Sequence, residues 1–138
     1  MMNRQAAGFR EIDHTADWAL EIWAPDLAGL FGQAILGMNM LTQVVLSPEN
    51  RITRELEFTA ADPESLLVTF LSELVYIGEE EDIGFDHLKI NIEGIHLTAR
   101  LEGAKIKERM KEIKAVTYHN LEIISGPRGL QAQLVFDV

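Results

Sequence analysis

Leu88-Lys89-Ile90-Asn91-Ile92-Glu93-Gly94-Ile95-His96-Leu97-Thr98-Ala99-Arg100-Leu101 is the stretch from which the rest of the chain can be read. Leu88, Ile90 and Ile92 alternate with polar neighbours, and Ile95, Leu97, Ala99 and Leu101 do the same. Alternation places every second side chain on one face, which is the signature of a half-buried strand. The phase breaks near Glu93-Gly94, so the stretch predicts two strands joined there as a hairpin. Such strands need a covering layer on their apolar side. The same alternation recurs outward in both directions. Trp18, Leu20 and Ile22 share one strand face, with Glu21 and Trp23 on the other. Ile52, Leu56 and Phe58 repeat the pattern, with Arg54 as an exception on their face. Ile113–Tyr118, Leu121–Ile124 and Leu130–Asp137 are further strand candidates, the last two joined through Ser125-Gly126-Pro127-Arg128-Gly129.

Two segments carry helical spacing instead. From Pro25-Asp26, the residues Leu27, Leu30, Phe31, Ala34, Ile35 and Met38 fall on one stripe. Gly29, Gly32 and Gly37 weaken this helix intrinsically, so packing has to hold it. The second helix has a cap in Asp62, a Pro suited to its first position in Pro63, and an acid in its first turn in Glu64. Leu66, Leu67, Phe70, Leu71, Leu74 and Val75 form its apolar stripe. Four acids, Glu79 to Asp82, oppose the dipole of a helix C-terminus, so the helix is expected to end near Gly78 with these acids in a solvated turn. The expected fold is therefore α+β, a single compact domain of about seven largely antiparallel strands and two main amphipathic helices. One domain is expected over residues 1–138, with residues 1–8 as a flexible N-terminus.

Composition narrows the function. Twelve Lys and Arg against 22 Asp and Glu give a formal charge of −10. That surface repels phosphate backbones, which excludes tight autonomous nucleic-acid binding and suits cations or a basic partner protein. No cysteine is present, which excludes disulfides, thiolate zinc sites and cysteine nucleophiles. No apolar run approaches the roughly 20 residues that span a bilayer, so no membrane association and a cytoplasmic location are expected. Phosphate-loop, dinucleotide, zinc-protease and serine-hydrolase motifs are absent, and the four histidines lack the spacing of a helical metal site.

Three segments are chemically loaded. Asp13-His14-Thr15-Ala16-Asp17 gathers two carboxylates and an imidazole, which suits a hard cation or a polar turn, and spacing alone favours the turn. At the other end, Asp137 brings a carboxylate beside the terminal carboxylate of Val138, and two such charges repel unless a cation or a Lys neutralises them. A frayed end is the ordinary outcome there, but alternation that persists through Phe136 predicts a docked one. Lys114, in Lys111–His119, shares a strand face with Val116 and Tyr118 if the segment is extended. It either snorkels to water or meets a carboxylate cluster or a phosphate.

Together with Leu27–Phe31, Leu67–Ile77, the run Lys114-Ala115-Val116-Thr117-Tyr118-His119-Asn120-Leu121 and the ending Phe136-Asp137-Val138, the Asp13–Asp17 element resembles the archease family over nearly the whole chain. Trp18 departs from that pattern where a small aliphatic residue is common, and Ser72 stands where Asn is expected. The resemblance implies a protein cofactor rather than an enzyme. It would activate an RtcB-type RNA ligase in tRNA splicing or RNA repair by promoting guanylylation from GTP and multiple turnover. It further implies a divalent cation, Ca²⁺ above Mg²⁺ or Mn²⁺, held by Asp17, Asp137 and the Val138 carboxylate, with Lys114 needed for activation. GTP and tRNA would be met only through the ligase. Two other classes compete with this expectation: a stand-alone metal-dependent phosphoesterase, and an acidic chaperone or scaffold.

Overall fold

The computed structural model describes residues 6–12 and 18–138. In chain order the elements are β1 (Gly8–Ile12), β2 (Trp18–Ala24), α1 (Leu27–Thr42), β3 (Val45–Leu46), β4 (Ile52–Thr59), α2 (Pro63–Glu81), β5 (Ile83–Glu93), β6 (His96–Glu108), β7 (Ala115–Val116), β8 (Ile124–Gly126) and β9 (Gly129–Asp137). All their pairings are antiparallel and build two sheets, β1-β2-β9-β7 with β8 also on β9, and β3-β6-β4 with β5 also on β6. The α+β, antiparallel expectation agrees with this architecture. The strand tally differs because β1, five residues paired along β2, and the two-residue β3 were not expected, while β7 and β8 are expected strands cut to two and three residues.

The Leu88–Leu101 stretch forms the centre of the four-stranded sheet. Glu93 pairs with His96 across a two-residue loop whose first member, Gly94, has φ +63°. A primed hairpin turn requires that left-handed value, and glycine adopts it without steric cost. The strands extend beyond the alternating core, and at their far end β5 carries a bulge between Phe85 and His87. There Gly103 faces the Gly84 backbone so closely that a Cβ would collide with its carbonyl. Arg51 fastens the bulge, bonding both Asp86 and Glu102.

Both helices touch both sheets, which makes one shared core. α1 packs on β1, β2 and β9 of one sheet and on β5 of the other, while α2 packs on β4, β5 and β6 and on β7. Leu20, Ile22, Leu30, Phe31, Leu66, Leu67, Phe70, Leu71, Leu97, Leu101, Leu134 and Phe136 are fully buried. Each side chain of this size contributes about 1.5–3 kcal/mol on burial. Phe70 stacks near Phe31 with ring centroids 6.2 Å apart and tilts against Phe58 at 6.2 Å, tying α2 to α1 and to β4. The glycine-weakened α1 is held by this packing, and Gly37 admits the Leu20 side chain where a Cβ would collide with it.

α1 starts at Leu27, two residues after Pro25. Asp26 is the N-cap, its carboxylate accepting from the Gly29 amide at 2.7 Å, and Pro25 lies outside the helix. For α2 the expected cap is observed, with Asp62 accepting from the Ser65 amide at 2.7 Å. Its C-terminus is a correction, since the helix continues through Glu81 and caps on Asp82 in the left-handed conformation. Tertiary partners offset the unfavourable acids. Arg54 grips Glu81 with bonds of 3.0 and 2.6 Å, and Lys105 Nζ donates to the Glu81 carbonyl at 2.8 Å. The inward Arg54 of β4 thus finds its partner on the covering helix. Among the described residues, no helix is long and apolar enough to cross a membrane.

Candidate functional site

The C-terminal strand β9 is the backbone of the site. Its apolar face, with Ala132, Leu134 and Phe136, is buried as expected. Its other face is only partly solvated, because Val135 is buried opposite Ala19 of β2. Asp137 is the last residue of the strand and is exposed. Val138 is half-buried and packs against the core, so this end is docked rather than frayed.

On one side of β9, the segment around Lys114 adds a short edge. Ala115 pairs with Asp137 and Val116 with Phe136. The Lys114 amide donates to the Asp137 carbonyl at 2.8 Å. Lys114 and Asp137, 23 positions apart in sequence, are thereby neighbours across a sheet edge. The expected strand Ile113–Tyr118 shrinks to two residues, and Lys114 lies just outside it, exposed, while Val116 is buried. Thr117 ends the pairing by directing both its amide, at 3.1 Å, and its hydroxyl, at 2.9 Å, to the Val135 carbonyl. The expected strand Leu121–Ile124 is displaced in the same way, with β8 beginning only at Ile124. The Ile123 amide leaves the sheet to bond the Glu64 carboxylate at 2.9 Å. The first-turn acid of α2 therefore anchors the loop that follows the site.

On the other side of β9 lies β2, whose first residue, Trp18, pairs with Phe136. Lys111 Nζ sits 4.9 Å from the centre of the Trp18 ring, within the range of a cation–π contact. Sequence reasoning assigned Lys111 no role, and only the fold brings it to Trp18. Asp17, the expected metal ligand bonded to Trp18, lies outside the described residues, as do Asp13, His14 and part of the 1–8 stretch. Among the described residues no group of three or more His, Asp or Glu side chains is gathered to hold a metal. Neither Lys114 nor Asp137 has an ion-pair partner among the described residues. The site is thus an exposed Lys and an exposed Asp on adjacent backbone segments at one end of a five-stranded sheet.

An α+β domain of two antiparallel sheets bridged by two helices, with an exposed Lys–Asp pair at the last strand, defines a class of small proteins with a polar end-of-sheet site. A model of the Archease protein family matches residues 9–138, and the chain belongs to that family. The protein archease of Methanothermobacter thermautotrophicus is 35% identical over 138 residues, covering 95% of this chain and 99% of that protein. The protein archease of Pyrococcus abyssi is 33% identical over 135 residues, covering 91% and 95%. Among solved structures, an archease of Thermotoga maritima described as a possible chaperone matches with a TM-score of 0.70 at 24% identity, over 100% of this chain and 98% of that one. The solution structure of a Methanobacterium thermoautotrophicum protein matches with a TM-score of 0.70 at 28% identity, over 95% and 99%.

Proposed function

We propose that this chain is an accessory activator of an RtcB-type RNA ligase, promoting GTP-dependent guanylylation and multiple turnover in tRNA splicing or RNA repair. The observation that carries the reading is the adjacency of Lys114 and Asp137, two residues singled out from distant segments, across the edge of β9. Membership of the archease family supports it, because the resemblance implies this activity for both residues.

The donor set suits a hard divalent cation. Asp137 is exposed at a docked strand end, and the next residue, Val138, packs on the core, so an acidic group is presented to solvent from an anchored backbone. Carboxylate oxygens are ligands for Ca²⁺, Mg²⁺ or Mn²⁺. Asp17, Asp137 and the terminal carboxylate of Val138 would hold the ion, with Ca²⁺ the first choice. When bound, the ion supplies positive charge that neutralises the carboxylates and can meet phosphate oxygens. Lys114, whose backbone amide bonds the same strand end, carries an exposed ammonium group suited to the phosphates of GTP bound on the ligase. The net charge of −10 makes RNA binding by the isolated chain unfavourable, so GTP and RNA are met through the ligase.

The test is ligation by a matched RtcB-type ligase with GTP and RNA ends in excess, with and without this protein. More than one turnover per ligase only in its presence, lost in Asp17→Ala and Lys114→Ala, supports the reading. Unchanged ligation, with phosphate-ester hydrolysis by the chain alone, would replace it with a stand-alone phosphoesterase. A second reading, as a chaperone or scaffold, draws on the description of the Thermotoga maritima structure. It requires partner binding that ignores metal and survives loss of Asp17 and Asp137.

A further inference from the structure

Beneath the segment that carries Lys114, the fold leaves a half-open cleft of about 80 Å³. Its walls are largely apolar and come from four elements and a loop: Met38 of α1, Leu74 of α2, Ile83 and Phe85 of β5, Ile106 of β6, and Ile113. A cavity of roughly 150 Å³ accommodates benzene, and pockets for whole small ligands run to about 300–1,000 Å³. This cleft therefore has room for a single side chain, not for a nucleotide or a cofactor.

Its rim gives the occupant's chemistry. Glu79 and Glu112 border it together with Arg109. The Arg109 guanidinium donates to Glu112 at 2.6 Å, so its charge is already matched within the chain. Glu79 is exposed and has no ion-pair partner among the described residues. Two exposed apolar residues are tethered to lining residues of the cleft. Met110 is 76% exposed and its amide bonds the carbonyl of Thr42, a residue of the cleft wall, at 2.9 Å. Val45, 44% exposed, pairs with Glu108 just before it. Contiguous exposed apolar groups mark contact surfaces, and methionine adapts to whatever it meets there.

We infer that the partner ligase docks on this cleft, inserting one apolar side chain flanked by a Lys or Arg that meets Glu79. This inference rests on the activator reading above and names the surface through which it would operate. Charge complementarity favours such an occupant, since with Arg109 matched to Glu112 the uncompensated charge on the rim is that of Glu79, which repels an acidic group and attracts a basic one. Position favours it too. Ile113 is in the cleft wall, the next residue is Lys114, and its amide bonds the Asp137 carbonyl at 2.8 Å. An anchor seated in the cleft brings the partner's surface to the Lys114–Asp137 end of the sheet.

Met110→Asp and Glu79→Lys change exposed side chains, so both variants are expected to keep the wild-type melting temperature. Each is titrated calorimetrically into the ligase, and guanylylation is then followed as a function of activator concentration. Each variant is expected to raise the dissociation constant and the half-saturating concentration about tenfold, the effect of a single interface anchor. Guanylylation at saturation stays at the wild-type level. Asp137→Ala is expected to do the reverse, binding normally and failing to activate. Wild-type affinity in both cleft variants, alongside a wild-type chain that activates, overturns the docking surface alone. A wild-type chain that neither binds nor activates the ligase overturns the activator reading and this surface together.

Discussion

The β4–β6–β5 sheet and the end of β9 are built from the same kind of antiparallel pairing but are secured in opposite ways. In the first, β6 pairs over most of its length on both sides, and side chains lock the ends: Arg54 on Glu81 and Arg51 on Asp86 and Glu102. At the end of β9 the added edge is two residues long and is held mainly through backbone groups. Its charged side chains, Lys114 and Asp137, remain exposed. The difference separates stability from function. Side chains engaged in the fold are not free to meet a ligand, whereas those fixed only through their backbone are positioned and still available. Substitutions in the two regions should therefore fail in different assays.

The largest effect is expected from Phe70→Ala, which removes the ring linking α2 to α1 and β4. It should cost about 3–5 kcal/mol in urea unfolding. A loss below 1 kcal/mol would mean that the shared core is not what joins the two sheets. Next, Asp137→Ala should reduce activation of the ligase about 100-fold, in the range of removing one electrostatic group from a reacting site. Its unfolding midpoint should stay unchanged. A fall in stability without loss of activation would reverse the assignment of roles. Residues added after Val138 should act in the same direction by displacing the terminal carboxylate, and full activation by an extended chain would remove that group from the proposed ligand set.

Gly37→Ala is a smaller perturbation. The new methyl meets Leu20, and the overpacking should cost about 1–3 kcal/mol. Activation should follow only the folded fraction. The smallest effect is electrostatic. Arg51 holds the Asp86 carboxyl below its ordinary range, as Arg54 does for Glu81 and the Ser65 amide for Asp62. A depressed folded-state value contributes stability above the unfolded carboxylate range, near pH 4, and loses it as pH falls through the depressed value. Arg51→Met should therefore lower the urea midpoint at neutral pH, with the gap from wild type closing in acid. A gap that persists at about pH 2 would show that Arg51 acts through packing rather than through Asp86.

Sequence legibility followed the reach of each interaction. The Asp62 cap, the Glu93-Gly94 turn and the alternation of β2, β4, β5, β6 and β9 rest on contacts within a few residues, and they were readable. The end of α2 was not, because local dipole reasoning opposes Glu79–Asp82 while Arg54 and Lys105 arrive from β4 and β6. The shortened strands at Ala115–Val116 and Ile124–Gly126 were missed for a similar reason. Thr117 and Glu64 take backbone partners that alternation alone would assign to a ladder. Lys114 and Asp137 were nominated by the chain, but as separate candidates.

What the amino-acid order determined by itself was the two helices, most of the strands, the buried face of each and the acidic net charge. These follow from period, capping and composition, which are properties of neighbouring residues. Only the tertiary structure decided that Lys114 lies beside Asp137, that Lys111 covers Trp18 and that an apolar cleft opens one residue from the site. Each is a meeting of segments distant in sequence, fixed by strand register and helix packing, and no local pattern encodes which edge of β9 the Lys114 segment will join.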